Sequence, residues 1–114
     1  PSVIISEEAF IGKGTFIGAG SIITTNAQIG DNSIINTGVM IDHETTIGRD
    51  SHIAPGCRIA GRVKIGEGTF IGIGSSLIDK IKLGDGVIVG AGTVIIEDVP
   101  SFSKIVGVPG RVLE

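Results

Sequence analysis

Tryptophan and tyrosine are absent from these 114 residues, and Phe10, Phe16, Phe70 and Phe102 are the only phenylalanines. A core without large rings is thin, and a chain of this length holds one domain. The single cysteine, Cys57, excludes an internal disulfide framework and suits a reducing compartment, so a cytoplasmic location is expected. No apolar run reaches the ~18 residues of a membrane span. A formal net charge of −3 supplies no basic patch for nucleic acid. Pro1 is not preceded by Met and opens no leader-like segment, which suggests a piece of a longer protein.

What the chain does contain is a period of six. Every sixth residue from Ile5 through Ile11, Ile17 and Ile23 to Val89 and Ile95 is aliphatic, without a slip. A helix repeats near 3.6 and a half-buried strand at 2, so this period points to a solenoid of very short units. Glycine often follows the aliphatic residue (Gly12, Gly30, Gly48, Gly66, Gly84), and the fourth residue after it is small or β-branched (Ala27, Ser33, Thr45, Ser51, Cys57, Thr69). Each hexad then reads as a short strand plus a corner, with glycine meeting the backbone demands of the corner. Three hexads close a triangular coil of eighteen residues, and residues up to Pro100 supply about five coils of an all-β fold.

This pattern resembles the hexapeptide-repeat, left-handed parallel β-helix of bacterial acyltransferases, and the left hand is an implication of that resemblance. Residues 1–100 are expected to form the helix. Residues 101–114, with the segment Gly107-Val108-Pro109-Gly110-Arg111, are expected to form a C-terminal capping tail over the unpaired edge of the last coil.

Stacking by eighteen places side chains in columns. With the corner at the second and third positions after each aliphatic residue, the fifth points outward. One such column reads Phe16, Ile34, His52, Phe70, Ile88, beside a column of Gly18, Asn36, Ala54, Gly72 and Gly90. A contiguous apolar stripe flanked by small residues marks a partner surface, and a homotrimer is the simplest expectation. The column Phe10, Gln28, Thr46, Lys64, Lys82 reads as a solvated face.

Histidine is the residue type suited to general acid–base work near neutral pH, and the chain has two. His43 falls at a corner beside Glu44, and the residue stacked above it is Gly61, whose missing side chain leaves room over the imidazole for a substrate. His52 and Asn36 lie on the stripe face, opposite that corner in one chain. A site assembled from two chains is therefore expected.

The run Asn36-Thr37-Gly38-Val39-Met40-Ile41-Asp42-His43-Glu44, then Ile47-Gly48 and His52-Ile53-Ala54-Pro55-Gly56, resembles the core motif of the sialic acid O-acetyltransferase family, which includes nucleotide-amino-sugar N-acetyltransferases. The resemblance implies His43 as general base, with Glu44 as the acidic residue that raises its basicity. It implies Asn36 as a polar residue at the substrate, His52 at the acetyl end of acetyl-CoA, and Gly61, Ile73 and Ala91 along the pantetheine groove. Leu77-Ile78-Asp79-Lys80-Ile81 departs from the family's Pro-Gly corner. Full-length members carry an N-terminal Rossmann-like domain for the sugar nucleotide, and no such pattern is present here.

The expected function is thus acetyl-CoA-dependent transfer of acetyl to an amine or hydroxyl of a sugar, often nucleotide-linked. Transfer is direct, without an acyl-enzyme and without metal. The competing reading is a structural hexapeptide assembly module, in which His43 and Glu44 are solvated corner residues and His52 packs at an interface. A β-helix carbonic anhydrase would need three zinc-binding histidines, and an ice-binding solenoid a threonine ladder that Thr24, Thr25 and Thr37 do not make. Cys57, in an inward slot, reads as an inert core thiol.

Overall fold

An aliphatic residue every six positions can face one axis only if the backbone turns a third of the way round in each hexad, and the computed structural model, which describes residues 2–113, follows that path. Strands are numbered in chain order. The first sheet stacks β1 (Ile4–Ile5), β4 (Ile22–Ile23), β7 (Met40–Ile41), β10 (Arg58–Ile59), β13 (Ser76–Leu77) and β16 (Val94–Ile95). The second stacks β2 (Phe10–Ile11), β5 (Gln28–Ile29), β8 (Thr46–Ile47), β11 (Lys64–Ile65) and β14 (Lys82–Leu83). The third stacks β3 (Phe16–Ile17), β6 (Ile34–Ile35), β9 (His52–Ile53), β12 (Phe70–Ile71) and β15 (Ile88–Val89), then β17 (Lys104–Val106) and β18 (Arg111–Leu113). Pairing from β1 to β16 is parallel and joins residues eighteen apart, as Phe16 to Ile34 and Thr46 to Lys64. The result is a parallel β-helix, a prism with extents of 40 × 21 × 20 Å.

The second residue of each strand points to the axis. Ile23, Ile29, Ile35, Ile41, Ile47, Ile53 and Ile59 are at most 1% exposed, so each contributes ~1.5–3 kcal/mol of burial. The slot before each strand is inward too and carries a hydroxyl in most coils. Ser51 Oγ donates to the Gly66 carbonyl at 3.0 Å and accepts the Thr69 N–H at 3.2 Å, tying one coil to the next. Cys57 occupies the same kind of slot, fully buried, with Sγ 3.1 Å from the Gly72 carbonyl. Burial pushes its thiol pKa up, as befits an inert core residue.

The corners fall at the expected positions, but glycine serves two purposes there. Left-handed backbone occurs at the third position after the inward aliphatic residue, at Gly38 (φ 66°) and also at Asn26, Asn32, Glu44, Asp50, Arg62 and Lys80. Glycine at the first position answers a different demand. A Cβ on Gly48 would lie 2.6 Å from the carbonyl carbon of Gly66 in the next coil, so close backbone approach, not the turn, requires it.

After β16 the register changes. Val99 bridges to Leu83, and β17 continues the third sheet with Ile88 against Lys104 and Val89 against Ile105, a spacing of sixteen. The chain turns back over residues 107–110, and β18 pairs antiparallel with β17. Gly110 N–H donates to the Val94 carbonyl at 2.7 Å, which covers the edge of β16. Among the described residues, no helix is long and apolar enough to cross a membrane.

Candidate active site

His43 and Glu44 form the corner between β7 and β8, as the hexad phase requires. The corner carries Gly61 one coil further on. A Cβ on Gly61 would lie 2.5 Å from His43 Cε1, so the imidazole itself occupies the space that the glycine leaves. The expectation that a substrate fills that space is corrected accordingly. Gly61 is the seat of the ring.

The carboxylate at the imidazole is Asp42, not the Glu44 that the resemblance assigns. Asp42 Oδ1 accepts the His43 backbone N–H at 2.7 Å and lies 3.0 Å from Nδ1. The side-chain bond to His43, then the backbone bond, holds the Asp42 carboxyl below the ordinary carboxylate range. Glu44 is engaged elsewhere. Its backbone is left-handed (φ 60°), and its Oε1 accepts Arg62 Nε at 3.0 Å from the equivalent position one coil on. Asp42 escaped the sequence reading because most residues at its position only join strand to corner. The small pair Ala60-Gly61, stacked directly over Asp42-His43, is the signal that marks it.

The second group lies on the third sheet and the corner that follows it. His52 projects outward from β9, with its ring edge-on to Phe70 at a centroid distance of 5.2 Å. Asn36 Oδ1 accepts the Thr37 N–H at 2.8 Å, which turns its Nδ2 toward His52 Nε2 at 3.4 Å. An amide nitrogen only donates, so that contact makes Nε2 the acceptor in the neutral ring and leaves the ring proton on Nδ1. Ile73 and Ala91 stack at the neighbouring corner, both exposed. Around them runs the stripe of Phe16 (58% exposed), Ile34 (38%), Phe70 (39%) and Ile88 (45%). One chain therefore joins Asp42, His43 and Gly61 at one corner, and Asn36, His52, Ile73 and Ala91 on the opposite side. It does not bring the two groups together.

A triangular β-helix with a histidine–carboxylate pair at an outward corner defines a class, that of hexapeptide-repeat transferases. The chain belongs to the bacterial transferase hexapeptide family, whose six-repeat model matches residues 8–43, 26–61 and 62–97. Among solved structures it is similar to a variant of perosamine N-acetyltransferase from Caulobacter crescentus in complex with CoA and GDP-perosamine. That likeness has a TM-score of 0.99 and 36% identity, over 100% of this chain and 54% of that one. It is also similar to the acetyltransferase domain of PglB from Neisseria gonorrhoeae in complex with acetyl coenzyme A (TM-score 0.53, 30% identity, 98% of this chain and 58% of that one). WeeI from Acinetobacter baumannii is a further neighbour (TM-score 0.72, 28% identity, 96% and 57%). The chain spans little more than half the length of these proteins. No curated protein sequence matches it.

Proposed function

We propose that this chain is the acetyl-transferring β-helix of an acetyl-CoA-dependent sugar acetyltransferase of the sialic acid O-acetyltransferase type, acting on an amine or hydroxyl of a nucleotide-linked sugar. The observation that carries this reading is the His43 corner. Its imidazole is 45% exposed, tethered through Nδ1, and its Nε2 has no hydrogen bond among the described residues. Nε2 takes the acceptor's proton as the acceptor nitrogen or oxygen bonds to the acetyl carbon. The same proton passes to the CoA sulfur as the C–S bond breaks, so no acyl-enzyme forms. A base so placed supplies ~10²–10⁴ in rate.

The apolar stripe of the third sheet packs against a neighbouring copy in a homotrimer, so that the His43 corner of one copy faces His52 and Asn36 of the next. His52 Nδ1–H then serves the thioester oxygen, and Ile73 and Ala91 flank the pantetheine arm. The likeness to enzymes holding CoA and GDP-perosamine, or acetyl coenzyme A, supports both the cosubstrate and the class of acceptor.

The test is calorimetric titration of acetyl-CoA into the chain and into its His52→Ala form, followed by thiol release with GDP-perosamine as a nucleotide-linked amino sugar. Saturable binding near one site per chain, weakened by the substitution, is expected. A folded oligomer that binds no acetyl-CoA would overturn the reading in favour of a structural assembly module.

A further inference from the structure

Asp42 contacts its neighbour at two points, the backbone N–H of His43 at 2.7 Å and ring Nδ1 at 3.0 Å, through one oxygen. A bond to the main chain fixes the carboxylate, and the second bond fixes the ring against it. An ionised carboxylate only accepts, so the proton shared across the 3.0 Å contact resides on Nδ1. Ionisation is secured because the carboxyl is held below its ordinary range by those same bonds. A free imidazole prefers its proton on Nε2, whereas the partner of one ring nitrogen decides the tautomer in a folded chain.

The coil above makes the pair possible. Ala60 stands over Asp42 and Gly61 over His43, and a Cβ on Gly61 would come within 2.9 Å of three ring atoms. Glu44 stays paired with Arg62.

Resting on the reading of His43 as general base, we propose that Asp42, rather than Glu44, is the positioning residue of this site: it holds the His43 proton on Nδ1 and presents the Nε2 lone pair to the acceptor. During transfer the Nδ1 proton stays in place, while Nε2 gains the acceptor's proton and returns it to the departing sulfur. The Asp42 charge lies against the imidazolium while it exists, which lowers the energy of that state.

Two histidines in the whole chain make the tautomer directly measurable. Long-range proton–nitrogen correlation spectra of the ring nitrogens, taken where the imidazole is neutral, assign His43 by comparison with His52→Ala. The wild-type chain is expected to show His43 protonated on Nδ1. Asp42→Ala, which installs the residue already present one coil on as Ala60, is expected to convert it to the Nε2–H pattern of a free imidazole. Glu44→Gln is expected to leave it unchanged. In the thiol-release assay Asp42→Ala should lower kcat by about 10²-fold with the calorimetric affinity for acetyl-CoA retained. An Nε2–H tautomer in the wild-type chain, a tautomer indifferent to Asp42→Ala but altered by Glu44→Gln, or an unchanged kcat in Asp42→Ala would overturn the proposal. The tautomer is read without acetyl transfer, so it stands even where His43→Ala keeps full activity. That last result would overturn the general-base reading alone.

Discussion

At the scale of single residues, the decisive contact is between a side chain and a missing one. The His43 ring rests where Gly61 has no Cβ, and Gly61 needs glycine for that reason alone, since its backbone is not left-handed. Gly61→Ala is therefore expected to leave the thermal unfolding midpoint nearly unchanged, because the half-exposed ring can swing out. It should lower acetyl transfer by about 10²-fold, as a displaced base does. Parallel melting and rate measurements check this. The same residues show how far the site was legible. That His43 and Gly61 share a column follows from counting by eighteen, and the hexad phase alone puts His52 and Asn36 on another face. Which carboxylate reaches the imidazole does not follow from counting. It depends on the left-handed backbone at Glu44 and on Arg62 standing one coil on to receive that side chain, and neither is written in the local motif.

At the scale of the strand and its corner, two kinds of glycine carry opposite expectations. Gly38 has left-handed backbone with nothing within 4 Å of a built Cβ, and Asn26 and Asn32 adopt the same conformation elsewhere. Gly38→Asn is expected to cost no more than about 1 kcal/mol. Gly48→Ala drives a methyl into the Gly66 backbone and is expected to cost about 3 kcal/mol or more, since backbone cannot yield as a side chain can. Urea unfolding midpoints separate the two. The existence of the coils was readable because the second residue of every strand from Ile23 to Ile95 is aliphatic and the phase never slips. The purpose of the glycine after each such residue was not, because a turn and a close approach select the same residue. The sixteen-residue step into β17 also lay beyond the pattern, since it begins where the hexads stop.

At the scale of the whole molecule, the third sheet presents Phe16, Ile34, Phe70 and Ile88 in one line beside His52, while the second sheet grades from Phe10 to Lys64 and Lys82. In the proposed trimer that line is the contact between copies. The double substitution Phe70→Glu and Ile88→Glu is expected to give a folded monomer in sedimentation velocity, with unaltered far-ultraviolet circular dichroism and no acetyl-CoA binding. A monomeric wild-type chain would sink both the ring and the shared site. Parallel strands pair in a register of eighteen. Changes in chain length act like shifts of a reading frame. Six residues added between Ile47 and His52 keep every inward slot filled yet carry His52 from the third sheet round to the first. Eighteen added there return it to its own sheet, one storey further from His43. Within the coils, a number that is not a multiple of six puts the inward slots out of phase, so the spacing between the two histidines can vary only in whole storeys without dismantling the fold or the site.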